Sequence, residues 1–536
     1  MKFSLHRPVA AAIALAAILL GGCTVKTTVQ VTATTPGNVT HIYVTVKEVW
    51  FTTHANAVAG EGKWKKKVLS DPVTVDLASL NGGATADLGN IDLGADTYEQ
   101  VRLVLVDTDA ELATSADDLN LAWNNAVQYV DNGLSRLVPL EFASPAPSLV
   151  AQSAIKVKGN TILDSLGGSG DPAATVVVDI DALRNLTIFS YGGEIRTLLD
   201  PGLAAYNDAD AGAVTGTFDL SAVATASINS RQGVVVSAER VDAANARHEI
   251  VKSVRLGTAG TFTLYPLPVD DSGESSYDIV VHGPGVSTVI ITGVTVDAGE
   301  TTTLQSSSIT VPVAVPFAVN TTTPVHGGTR AAFYQTLPAD ARPYRVDFAA
   351  VNPFGGGFNS DLALSTASLV YGAYNDGEVI SFASATPTEG AGTYRLAADA
   401  RWRAPSGYAT VINGGLGPST AQLETLPQPV LPAGAVAGSI SGTIAFSAAD
   451  QYDALYLTVS RGGQIVETVN LASSLPGQAS IDFTVDNLPA AVPSAVYEVA
   501  VRAWNSADAA GTLVRALFMP AADLRQGDVT GLSLQL

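Results

Sequence analysis

His41-Ile42-Tyr43-Val44-Thr45-Val46-Lys47-Glu48-Val49-Trp50 alternates apolar and polar side chains along most of its length. Alternation at period two marks a strand with one face in a core and the other in water. Ile42, Val44 and Val46 share a face, and the slip at Lys47-Glu48 before Val49 and Trp50 fits a β-bulge. Similar runs follow at Pro72-Val73-Thr74-Val75-Asp76-Leu77, at 98–106 and at Val176-Val177-Val178-Asp179-Ile180-Asp181, punctuated by Gly, Pro, Asn and Asp. Val, Thr, Ala, Gly and Ser dominate the chain, while Lys, Glu and Met are sparse. The expected fold class is therefore all-β: several tandem antiparallel β-sandwich modules, Ig-like or prealbumin-like, with a minor helix in the first. That helix is expected over 117–130, where Leu119, Trp123, Ala126 and Val130 recur at helical spacing and Ser115 offers a cap.

The N-terminus carries a different signal. Met1-Lys2 and Arg7 precede an apolar run from Val9 to Leu20, followed by Leu20-Gly21-Gly22-Cys23. The run is about a dozen residues, short of the roughly 20 needed to span a bilayer, and reads as a secretory signal. The cysteine after the small residues resembles the lipobox of bacterial lipoproteins, in which that thiol is acylated. Cys23 is the only cysteine of the 536 residues, so no intramolecular disulfide is expected. By resemblance to the Gram-negative sorting rule, Thr24 after the cysteine implies the outer membrane, with the periplasmic or surface face left open. The alternative is a plain cleaved signal with an incidental cysteine.

A chain of this length exceeds one core. It divides as a lipoprotein signal peptide at 1–22, acylated Cys23 with a Thr-rich tether to 37 in which Thr28–Thr32 is a candidate first edge strand, and β modules at 38–200, 214–305, 307–425 and 437–536. Linkers are expected at 200–213, rich in turn formers and acid, and at 426–436. The first module resembles the bacterial lipoprotein domain of unknown function 4382, through the strand at 39–49, Val73-Thr74-Val75-Asp76-Leu77-Ala78-Ser79-Leu80, Leu88-Gly89, Leu93-Gly94-Ala95, Tyr98-Glu99-Gln100-Val101-Arg102-Leu103 and Val178-Asp179-Ile180-Asp181. The resemblance implies an exported β-rich module and no activity. The second, with Gly260-Thr261-Phe262-Thr263-Leu264, Leu267-Pro268 and the Tyr277-led strand, resembles the carboxypeptidase regulatory-like, or prealbumin-like, sandwich. The last module repeats it. Phe262-Thr263-Leu264-x-x-Leu267-Pro268 answers Phe483-Thr484-Val485-x-x-Leu488-Pro489, the strands led by Tyr277 and Tyr497 answer each other, and Gly216-Thr217-Phe218 answers Gly442-Thr443-Ile444.

Lys and Arg number 29 against 50 Asp and Glu, a net charge of −21. Such a surface argues against nucleic acid and against electrostatic docking on anionic lipid, leaving the acyl chain as the membrane contact. His41, His54, His248, His282 and His326 stand in no metal-ligand spacing, and a surface position is the default for each. No nucleophile elbow or phosphate loop occurs, and Gly167-Gly168-Ser169-Gly170 lacks the ending a phosphate cradle needs. An enzyme is not expected. Asp107 and Asp109, with Glu111, Asp117 and Asp118 nearby, are the candidate calcium ligands, solvated loop acids being the alternative. Asn207-Asp208-Ala209-Asp210 and Asp270-Asp271 are lesser acidic groups. Trp64, inside Lys63-Trp64-Lys65-Lys66-Lys67, is the candidate glycan contact on a hairpin surface, with a locally packed Trp as the alternative. Trp50 and Trp123 read as core; Trp402 and Trp504 are undecided. The functional expectation is an extended array of β modules on a lipid anchor, non-catalytic, binding a polysaccharide or another envelope component. Its alternative is an assembly partner of an envelope protein through a sheet edge.

Overall fold

The computed structural model describes residues 24–131, 133–144, 147–158, 173–191, 194–200, 202–231, 233–304, 309–313, 315–321, 328–350, 359–364, 369–412, 420–423, 426–446, 452–472, 475, 478–505, 514–517 and 521–536. Cys23, His326 and the glycine run at 167–170 lie outside them. The fold is all-β, in several separate sheets. No helix among the described residues is long and apolar enough to cross a membrane.

In the first module a four-stranded sheet is ordered Gly202–Asn207, Ala173–Asp181, Thr24–Thr34, Ala86–Gly94. It shares one core with an eight-stranded sheet built around Val39–Thr52. Val25, Val29 and Val31 of one sheet cluster with Ile42, Val44, Val46, Val49 and Phe51 of the other. The alternation read from the sequence thus becomes the inner face, and the register shifts between Val46 and Glu48.

Three expectations for this module need correction. The stretch expected as a tether with a candidate edge strand at Thr28–Thr32 is the longer strand Thr24–Thr34, inside its sheet, paired parallel with Ala173–Asp181 and antiparallel with Ala86–Gly94. Its alternating Val residues bury too much apolar surface to remain in solvent. The linker expected at 200–213 contains the strand Gly202–Asn207, and the next module's first strand, Ala211–Asp219, starts four residues on. The helix expected over 117–130 is a single turn, Thr114–Asp117, followed by the strand Ala126–Asp131. Two asparagines defeat it. The Asn124 side-chain amide donates to the carbonyls of Asp107, Ala110 and Glu111, and its oxygen accepts from the Ala113 amide at 2.9 Å. Asn125 Oδ1 accepts from Thr45 N at 2.9 Å. Such bonds offer the backbone an alternative to helix.

The other modules share one plan. In the second, Ala211–Asp219 pairs antiparallel with Thr261–Pro268 and parallel with Thr301–Thr303. The opposite sheet runs Arg247–Arg255, Val235–Asp242, Glu274–His282, Val289–Asp297. The last module repeats this strand for strand, with Val436–Ala445 between Ser480–Ala490 and Val529–Gln535, over Gln464–Asn470, Ala454–Arg461, Val496–Trp504 and Val514–Leu517. Gly216 sits opposite Phe262, and Gly442 opposite Phe483. A Cβ on Gly442 would meet the Leu532 carbonyl oxygen at 2.2 Å, so only glycine fits there. The third module has the same order, Asn359–Leu364, Val315–Thr321, Thr420–Leu423 and Tyr344–Ala350, Thr329–Gln335, Thr393–Ala400, Ala409–Ile412. Its additional strand Leu369–Ala373 crosses to the second module and pairs parallel with Val289–Asp297.

Candidate functional site

The modules are packed on one another, unlike the extended array expected from the sequence. Between the first and second, Lys252 Nζ lies 2.5 Å from Asp179 Oδ1, both groups buried, and Thr34 Oγ1 donates to the Ser253 carbonyl at 2.6 Å. Arg184 Nη1 donates to Ser253 Oγ at 2.9 Å. Between the second and third, Arg345 donates its backbone amide to Glu239 Oε2 at 3.1 Å and its guanidinium lies 2.7 Å from Glu249 and 2.9 Å from Asp399. Burial pushes the Glu239 carboxyl up to about 8, while the Arg345 amide and charge pull it down. Burial likewise raises Asp179, with Lys252 opposing. Asp179, Arg184, Lys252 and Arg345, from three modules, line one cavity of about 80 Å³.

The last module returns to the first. Arg502, fully buried, donates to the carbonyls of Phe142 and Ala143. Ala143 and Leu198 cluster with Ile465 and Trp504. Gly462-Gly463 forms a two-residue hairpin turn with φ of 56° and 77°, left-handed values that glycine adopts freely. A Cβ on Gly463 would lie 2.4 Å from the Ser148 carbonyl of the first module, so the turn is fitted to that face. Asp200 binds three modules: its carbonyl accepts from Arg330 at 3.3 Å and its carboxylate from the Ile465 amide at 3.1 Å.

A larger opening lies on the outer face of the second module, beside the first. It has a volume of about 530 Å³ and is lined by Thr215, Thr217, Thr261, Thr263 and Thr303, together with Asn81 and Arg255; Phe262 and Leu304 lie beneath it in the core. The threonines form rows because Thr215 stands opposite Thr263 on one neighbour and Thr303 on the other, and Thr217 opposite Thr261. Volumes of roughly 300–1,000 Å³ are usual for small-ligand sites.

Comparison with protein families decides one point. Residues 24–201 match a domain of unknown function, DUF4382. The other three modules lie outside the match. No curated protein matches the chain. Among solved structures the chain is similar to the Bacillus anthracis TIE protein, at 9% identity over 94% of this chain and 73% of that one, TM-score 0.15. It is also similar to the shaft pilin SpaA of Lactobacillus rhamnosus GG (11% identity, 41% of this chain and 97% of that one, TM-score 0.17). A third is a pair of B repeat units of the collagen binding protein of Staphylococcus aureus (10%, 96% and 99%, TM-score 0.12). Likeness of this degree says nothing about ligand or partner.

The DUF4382 domain holds all the candidate site residues except Cys23, which is outside the described residues. Trp64 is a correction. Its ring is only 9% exposed, its Nε1 donates to the Val58 carbonyl at 2.9 Å, and it packs 5.7 Å from Trp50 with the Arg102 guanidinium 5.4 Å away. The flanking lysines stay in solvent while the indole folds inward, so it presents no face to a sugar. Trp50 is half-buried on the outer face, under Lys66 Nζ at 3.6 Å, and Trp123 is half-buried. The calcium expectation is also corrected. Asp107 Oδ1 accepts from the Asp109 amide at 3.0 Å, and Asp109 Oδ2 lies 3.5 Å from Arg196, which pairs with Glu141 at 2.6 Å. Asp117 and Asp118 point to solvent. Among the described residues no group of three or more His, Cys, Asp or Glu is placed to hold a metal ion.

Elsewhere, Tyr265 donates to Asp208 at 2.6 Å, and Lys158 and Lys156 of the DUF4382 domain pair with Asp210 and Asp271. Two histidines expected at the surface are buried. His248 stacks on Tyr344 at 3.8 Å and lies 3.1 Å from Asp340, and His282 adjoins Arg184 at 3.5 Å. Burial, then the arginine, drives the His282 pKa well below its usual value. Both sit on strand faces that a neighbouring module covers, which no feature within their own strands signals. Trp402, under Arg461 at 3.6 Å, and Trp504, stacked on Tyr456 at 5.4 Å, serve module junctions.

Proposed function

We propose that the chain is a non-catalytic binding protein of a Gram-negative outer membrane, lipid-anchored through Cys23, with carbohydrate as its ligand. The observation that carries this reading is the division of polar groups. Many of the buried His, Asp, Glu and Arg side chains, among them His248, Asp179, Glu239 and Arg502, are engaged in module junctions, whereas the open groove is lined by hydroxyls. In this reading the four modules act as one platform, and the second and last are carboxypeptidase regulatory-like sandwiches. The anchor would leave almost no slack, since the strand Thr24–Thr34 begins at the residue after the cysteine. The test is electrophoretic retardation of the full chain by a panel of envelope and environmental polysaccharides. Retardation by one of them supports the reading, and none by any removes carbohydrate from it. The anchor has its own test: incorporation of labelled palmitate, lost in Cys23→Ser.

A second reading is assembly with an envelope protein through a sheet edge. It is favoured by the parallel strand Leu369–Ala373, which already extends the second module's sheet at Val289–Asp297. The corresponding strand of the last module, Val514–Leu517, ends its sheet among the described residues.

A further inference from the structure

We infer that the threonine-lined groove between the DUF4382 domain and the second module binds an acidic saccharide, with the Arg255 guanidinium receiving a uronic-acid carboxylate. The inference rests on the binding reading above and names its ligand.

Arg255 ends the strand Arg247–Arg255. Its aliphatic stem passes between two glycines. A Cβ on Gly37 would meet Arg255 Cδ at 3.3 Å, and one on Gly233 would meet it at 3.0 Å. The stem is therefore held from both modules. In a chain with 50 acidic groups to 29 basic ones, its guanidinium has neither an ion pair nor a hydrogen bond among the described residues, and its buried Nε has no partner. Burial lowers its pKa, with no acid nearby to raise it. Asn81, on the same groove, has an equally orphaned Oδ1, its Nδ2 reaching only the Arg255 carbonyl at 3.4 Å. Arg102, Arg196, Arg247 and Arg502 also have an orphaned Nε, but each of them has an engaged Nη group; Arg255 has none among the described residues, and with Asn81 on the same groove that points to a missing ligand. One needs an acceptor and the other a donor.

The remaining lining narrows the chemistry. The hydroxyls of Thr217, Thr261 and Thr303 have no hydrogen bond among the described residues, and each can both donate and accept. Phe262, Leu304 and Val254 lie beneath this lining as core residues, so the hydroxyls are the groups a ligand meets. A single arginine matches a carboxylate bidentately, whereas a dianionic phosphate is usually met by several cations or a nest of amides. The groove lies on a sheet face, not along an edge, so it offers no ladder to an extended peptide. The last module provides the contrast within the same chain. At the equivalent face Thr443 donates to Asp482 at 2.8 Å, and the exposed residues there include Asp482 and Asp486, a surface that repels an anion.

The test is calorimetry of the full chain with trigalacturonate, its methyl ester and inorganic phosphate as probes. We expect binding of the acid, at least tenfold weaker binding of the ester, and a loss of tenfold or more in Arg255→Gln. Thr261→Val, at an exposed position, should lose several-fold. It also serves as the test if Arg255→Gln fails to keep the wild-type urea midpoint. No binding of trigalacturonate, or equal binding by both variants, overturns the inference. Ester bound as tightly as acid overturns the arginine's role while leaving saccharide binding intact. Phosphate that displaces trigalacturonate at equal concentration reduces the site to an anion hole and overturns it too. Retardation by neutral polysaccharides alone sinks the acidic ligand but not the general reading.

Discussion

The Tyr497 hydroxyl donates to the Pro489 carbonyl at 2.6 Å, and in the second module the Tyr277 hydroxyl donates to the Pro268 carbonyl. Both tyrosines are 1% exposed. The bond ties the edge strand of one sheet to the centre of the other, which explains why both copies carry Leu-Pro and, eight or nine residues on, a tyrosine. Tyr497→Phe and Tyr277→Phe leave a buried carbonyl without its donor. Each should cost about 1–3 kcal/mol in urea unfolding, and by similar amounts. A cost confined to one would deny the two bonds a common role.

Trp64 is a packing residue of the DUF4382 domain. Trp64→Ala should destabilise by about 3–5 kcal/mol. Trp64→Phe, which keeps a ring but drops the bond to the Val58 carbonyl, should cost about 1 kcal/mol. Polysaccharide retardation by folded Trp64→Phe should equal that of wild type. A weakened retardation with an unchanged unfolding midpoint would return the indole to the ligand.

Glu239 makes stability depend on pH. Its folded pKa, about 8, stands above its unfolded value near 4.5. The folded state therefore binds the extra proton, and the contribution to stability is full below about 4.5 and lost as pH rises through about 8. Glu239→Gln keeps acceptors for Ser237 and the Arg345 amide but cannot ionise. It should melt near wild type at pH 5 and above it at pH 9. The difference should be on the order of a few kcal/mol. Parallel melting curves across that range would show that the carboxyl ionises freely in the fold.

The Asp179–Lys252 pair couples two modules. Lys252→Met leaves a buried carboxylate unpaired and should cost about 3–5 kcal/mol, whereas Asp179→Leu combined with Lys252→Met should recover most of it. Calorimetric scans distinguish a lower single transition from a split one. A split in Lys252→Met, healed in the double variant, is the expected signature of a junction pair.

Much of this architecture can be read along the chain. Period-two runs such as Ile42–Val44–Val46 name their own inner face, and the phenylalanine, Leu-Pro and tyrosine spacing names two sandwiches as copies. The third copy is silent in sequence because its plan is kept by strand order, not by a shared motif. Asn124 shows why a helical spacing can mislead: its amide satisfies three loop carbonyls that a helix would have abandoned. Trp64 and His248 show a second limit. A charged neighbourhood or a strand position describes a residue's own element, while burial here comes from other elements, Trp50 and Arg102 for the indole and Tyr344 of the next module for the imidazole. Arg255 belongs to the same class, since its missing partner is visible only once every neighbour is in place.

Arg502 reaches back 360 residues to the Phe142 carbonyl. Loop closure over such a span adds an entropic cost that grows only slowly with length, but the contact waits until the last sandwich has been made. Until then the first module shows bare carbonyls at Phe142 and Ala143 beside the apolar Leu198. A chain cut short anywhere before 502 would leave that seam uncovered, with Leu198 lacking the Trp504 that closes over it.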